Sequence, residues 1–128
     1  MPNGTVTGPP DGKPSTGAPI DVELMRETAA RLLAEDAELP SLEEVETLTL
    51  RLRGMIMVAI PDVEILIGKF PKDDIPATCA RACIGEARMR LRLEPGGNLP
   101  QQVAHAQRLA RSVRALAEHH VNLGAEHE

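Results

Sequence analysis

Apolar residues recur at three- and four-residue steps along most of this chain, and the stepping is interrupted by short Pro-, Gly- or acid-rich breaks. Val22, Met25, Ala29 and Leu32/Leu33 form one apolar stripe, which predicts a first helix over about residues 21–36. "ELPS" breaks it. Ser41 with Glu44 three residues on reads as a capping box opening a second helix over about 42–67. There Val45, Leu48, Leu52, Met55 and Ala59 follow the spacing of a bundle seam. Leu50, Ile56, Met57 and Ile60 widen the seam until the helix is apolar nearly all round. Such a helix is expected at the centre of its bundle or shared with a second chain.

Pro61 lacks a backbone donor and predicts a kink or break in the second helix, with Asp62 and Glu64 suited to a restarted first turn. Gly68 reads as the C′ residue that ends it. After the loop "FPKDDIP", Asp73 or Asp74 is expected to cap a third helix over about 75–93, and "EPGG" stops that helix. Asn98, Pro100 and Gln101 supply the N-cap, early proline and capping-box partner of a fourth, about 99–122. The expected fold is all-α, a bundle of four main helices forming one domain over residues 20–123. Residues 1–19, with five Pro and four Gly, read as a disordered tail, and 124–128 as a frayed end.

Composition narrows the core. Phe70 is the only aromatic among 128 residues, so aliphatic side chains and alanine must fill the interior, which suits packed helices. The lack of Trp and Tyr also removes the usual stacking platforms for bases and flat cofactors, and no cofactor is expected. Net charge is −5, which argues against nucleic acid as the principal partner. The charge is unevenly placed: residues 1–74 carry 14 acids and 7 bases, residues 75–128 carry 5 acids and 7 arginines. The longest apolar run, Met55–Ile60, is far short of a membrane span. The first residues lack the basic-then-apolar order of a secretory signal, so a cytoplasmic location with two free thiols is expected.

Candidate chemistry concentrates in "TCARACIGEARMRLR", residues 78–92. On a helical wheel Arg81, Arg88 and Arg92 share a polar face. Ala80, Ile84, Ala87 and Leu91 form one apolar arc; Ile75, Ala82, Met89 and Leu93 form a second. Cys79, Cys83, Glu86 and Arg90 fall between the arcs, as an inner polar seam. A metal would have to use Cys79, Cys83 and His120, yet His120 falls beyond the level of Cys79 and tetrahedral closure lacks a fourth ligand. Small apolar packing therefore explains the cysteines better than metal binding does. Cβ atoms at i and i+4 are also too far apart for a disulfide. Glu86 and Arg90 have the favourable acid-before-base order and are expected to fix helix docking if buried, or to mark a ligand pocket. Arg88 is expected near the level of Arg108, with Arg111 a turn further on, so that an anionic small molecule could bridge them with Arg81 and Arg92.

In "ETAARLLAEDAELPSLEEVETLTLRLRG", "IGEARMRL" and "HAQRLARSV" the chain resembles a family of small streptomycete proteins of unknown function, loosely labelled "natural product biosynthesis protein". The resemblance covers about residues 21–121 and implies a biosynthetic or regulatory setting in an actinobacterium, without a reaction or catalytic residues. Three functions follow as expectations. The first is a non-enzymatic interaction module that self-associates, with a dimer favoured, or binds another protein. The second is a small accessory enzyme or ligand carrier with a pocket near Glu86 and Arg90. The third is a regulator touching nucleic acid through its arginine face.

Overall fold

A computed structural model describes residues 20–127, in four helices: α1 (Val22–Leu33), α2 (Leu42–Ile67), α3 (Ile75–Arg92) and α4 (Leu99–His127). There is no strand among the described residues. The tail expected over residues 1–19 lies outside them. No helix among them is long and apolar enough to cross a membrane.

Each helix starts where a polar side chain can take up a free amide. Asp21 accepts from the Leu24 amide at 3.0 Å, Ser41 from Glu44 at 3.1 Å and Asp74 from Ala77 at 3.0 Å. At α4 the capping box is reciprocal: the Gln101 amide donates to Asn98 Oδ1 (2.9 Å) and the Asn98 amide to Gln101 Oε1 (3.3 Å). The box at α2 is only half formed, because the Glu44 carboxylate turns away to Arg31.

The ends of α1 and α4 differ from the sequence expectation, and so does the form of the cap at Gly68. α1 ends at Leu33, where Glu35 and Asp36 would bring negative charge to the negative end of the helix. α2 spans Leu42–Ile67 as expected, one helix with Pro61 inside it rather than two; the proline lies on an exposed face, where the carbonyl it leaves unpaired need not be buried. Gly68 caps α2 in the right-handed region (φ −64°) rather than as a left-handed C′ residue. α4 continues past Asn122 to His127, so Gly124 does not end it.

Neighbouring helices run antiparallel. Arg31 near the end of α1 meets Glu44 at the start of α2, Arg88 of α3 meets Glu64 late in α2, and Arg90 meets Ser112 of α4. α2 and α4 therefore run the same way, and their packing is the most extensive in the molecule. α1 and α3 lie on opposite sides of this pair and do not touch each other. Both α2 and α4 touch all three other helices, but α4 packs far more extensively on α1 and α3, so α4 is the better covered of the central pair. The core joins Leu52, Ile56 and Val63 of α2 to Leu109, Val113 and Leu116 of α4, all fully buried. α3 presents mostly alanine to the core: Ala77, Ala80 and Ala87 with a single Ile84. Small residues let its backbone sit near α4, which is how a core without Trp or Tyr stays filled.

Candidate interaction surface and the polar seam of α3

Only one of the two apolar arcs of α3 is covered. Ala80, Ile84 and Ala87 are buried and Leu91 is half-buried, whereas Ile75, Ala82, Met89 and Leu93 face outward with Cys79. The inner seam expected between two arcs is therefore an edge. Glu86 is 59 % exposed and Cys79 is exposed, while Arg90 (22 %) and the half-buried Cys83 are drawn into the fold.

Arg90 works as a clamp between helices. Its Nη2 donates to Glu86 Oε2 at 3.0 Å, and its Nη1 donates to Ser112 Oγ (3.0 Å) and to the Arg108 carbonyl (3.2 Å). Ser112 is buried, so this guanidinium satisfies a hydroxyl that water does not reach. Arg53 makes a similar tie from α2, donating to the Leu91 carbonyl at 2.9 Å near the end of α3. The expected arginine face does not continue across the α3–α4 hairpin. Arg88 turns to Glu64 of α2 at 2.9 Å, with Arg81 beside it, and both line an open groove of about 400 Å³ with Ile67, Ile84 and Gly85. Arg108 meets the other flank of α3, through Arg90. Arg92, Arg108 and Arg111 are exposed and make no ion pair among the described residues.

Both cysteines are free, Cys79 exposed and Cys83 half-buried. Burial pushes the Cys83 thiol up, the Glu86 carboxylate pushes it further, and Arg90 partly offsets them. Cys79, Cys83 and His120 do not gather into a metal-ligating cluster; among the described residues no group of three or more His, Cys, Asp or Glu does so. His105, for which the sequence pattern suggests no role, is 3 % exposed. Burial, then the charges of Arg53 and Arg108, lower its pKa from the usual 6.5, with Glu94 opposing them. His105 and Ser112 are seven residues apart on one side of α4, a side that only a central helix would bury.

The largest surprise lies on α2. Leu50, Met57, Val58 and Ile65 are all more than half exposed and, with Gly54 and Pro61, form one stripe opposite the buried seam of α2; at its N-terminal end Leu50 also borders an open groove shared with Gln102 of α4. Between this stripe and α1 runs an open groove of about 280 Å³, lined by Ile20, Leu24, Gly54, Met55 and Val58. The sequence showed the apolar character of these positions, but not which would be left uncovered.

A family model described as a family of unknown function (DUF6415) matches residues 23–125. The chain belongs to that family. The match spans all of α2 and α3, so the Arg90 clamp and the α2 stripe both lie within the DUF6415 region. No curated protein and no solved structure matches this DUF6415 member.

Proposed function

We propose that this chain is a non-enzymatic helical interaction module that self-associates as a dimer and engages other proteins in the cytoplasm. The observation that carries this reading is the contrast between the two outer faces of the central helix pair. The outer face of α4 is polar, with Arg108, Arg111, Arg114 and Glu118. That of α2 is apolar over four turns, with Leu50, Met57, Val58 and Ile65 exposed. Large contiguous apolar patches are uncommon on monomers and mark surfaces that a partner covers. The setting, natural-product biosynthesis or its regulation in an actinobacterium, rests on the resemblance of the residue 21–121 segment alone. Multi-angle light scattering across the micromolar range tests the self-association; a dimer mass is expected, and a monomer throughout the range would overturn it.

Ligand binding is a second reading, favoured by the groove at Arg81 and Arg88. Its guanidinium groups suit a carboxylate or phosphate, although Arg88 is already paired with Glu64. Titration with inorganic phosphate and with citrate, followed by calorimetry, tests it; no heat at millimolar ligand would dispose of it.

A further inference from the structure

The central segment of α2, which includes the exposed stripe and buried core positions such as Leu52, Ile56 and Val63, carries a mirrored sequence. Residues 50–57 read LRLRGMIM; residues 58–65, VAIPDVEI, read backwards as IEVDPIAV. Superposed, the two halves match apolar residue to apolar residue, while each arginine of the first half falls on a carboxylate of the second. Arg51 answers Glu64, Arg53 answers Asp62, and Gly54 answers Pro61.

A two-fold axis between antiparallel helices reverses chain direction and returns the same patch to itself, so an axis at the centre of this segment brings the arginine half of one copy against the acidic half of the other. We propose that a second copy of this chain covers α2, antiparallel to it, with the axis at the Met57–Val58 peptide. The proposal rests on the self-association reading and names its surface and register.

The flanks of the stripe support the antiparallel choice. At about 100° per residue, Arg53 and Glu64 lie on one flank of the stripe and Arg51 and Asp62 on the other. A two-fold of this kind brings each flank onto the same flank of the partner. Arg51 then comes within about half a turn of the partner's Asp62; Arg53 comes within the same distance of the partner's Glu64, but these two are already engaged in the protomer, by the Leu91 carbonyl and by Arg88, so the first pair carries the complementarity. A parallel pairing would instead set arginine against arginine and acid against acid. Arg51 and Asp62 have no side-chain hydrogen bond or ion pair in the protomer among the described residues, so both are available.

Gly54 is a second, independent sign. Glycine weakens a helix interior, and here nothing lies within 4 Å of where a Cβ would stand, so packing within the protomer does not call for it. In the proposed register the partner's Pro61 ring sits at the level of Gly54, beside the groove lined by Leu24, Met55 and Val58. The missing side chain leaves room for that ring.

The test is charge exchange in the full chain, with the dimer dissociation constant measured by sedimentation equilibrium at low salt. Arg51→Glu alone and Asp62→Arg alone are each expected to weaken the dimer about tenfold or more, by placing like charges together. The double variant R51E/D62R is expected to recover it to near the parent value. Gly54→Gln, which has space in the protomer, is expected to weaken the dimer while leaving the helical circular dichroism and the monomer's melting unchanged. A dimeric parent whose constant none of these changes moves would overturn this surface and leave self-association standing. Weakening by both single changes without recovery in the double variant would overturn the antiparallel register. A parent that is monomeric throughout would overturn both the surface and the self-association reading.

Discussion

Arg31 and Glu44 close the first hairpin through two parallel hydrogen bonds, Nε to Oε2 and Nη2 to Oε1, each 2.7 Å. The same guanidinium donates from Nη1 to the Glu38 carbonyl at 2.8 Å, so one side chain ties the last turn of α1, the connecting loop and the first turn of α2. α1 and α2 otherwise share little packing. Both members of the pair are partly exposed (29 % and 41 %), which limits its worth to about 0.5–1 kcal/mol. Arg31→Lys keeps the charge but loses the fork geometry. It is expected to lower the urea midpoint nearly as much as Arg31→Ala, with the difference between parent and variants shrinking at high salt.

His105 predicts a loss of stability in mild acid. Its folded pKa lies below the unfolded value near 6.5, so the unfolded chain binds the proton more readily. The stability this group contributes is complete above about 6.5, falls as the pH drops through the window down to the folded pKa, and is gone below that. The positive neighbours Arg53 and Arg108 oppose protonation from α2 and from α4 itself, and only Glu94 of the α3–α4 loop favours it. Urea midpoints between pH 5 and pH 8 should fall on the acid side in the parent, and the His105→Gln variant should show a shallower fall.

The two thiols should differ in reactivity. Cys79 is exposed, while Cys83 is half-buried with its pKa raised by burial and by Glu86. Since the thiolate is the nucleophile, iodoacetamide at mildly alkaline pH is expected to modify Cys79 first, as peptide mass mapping would reveal. Glu86→Gln removes the nearer negative charge and should speed modification of Cys83. Equal rates at the two sites in the parent would contradict this placement.

Gly96 is where the loop before α4 admits no side chain. A Cβ there would collide with the Gln101 side chain that completes the capping box. Gly96→Ala is expected to displace Gln101 and to destabilise the fold by about 1 kcal/mol, comparable to the loss of a helix cap. Gln101→Ala should cost a similar amount, and adding G96A to it should cost more again, because the new Cβ would still stand too close to the Cβ that alanine keeps at position 101.

The helices and most of their starts were legible in the chain because they depend on groups close together in sequence. Asp21, Ser41, Asp74 and Asn98 each cap an amide three residues ahead, and apolar spacing places the buried stripe of α1 and the seam of α2. The polar site was legible only in part. Glu86 and Arg90 do pair, as their spacing requires, but the partners that give Arg90 its role, Ser112 and the Arg108 carbonyl, lie on another helix. Arg88 offered the same charge and went to Glu64 instead.

By itself, then, the amino-acid order determined an all-α chain with four capped helices and an interior of aliphatic side chains and alanine. Tertiary structure alone decided which apolar arcs are covered. The two arcs of α3 have the same chemistry, and α2 is apolar nearly all round, so local pattern cannot choose between them. The choice follows from four helices packing with α2 and α4 in the middle: α4 meets a helix on three sides, burying His105 and Ser112, while α2 keeps one side open. Burial is a property of the whole assembly of helices, and so the stripe from Leu50 to Ile65 became visible as a surface only once its neighbours were in place.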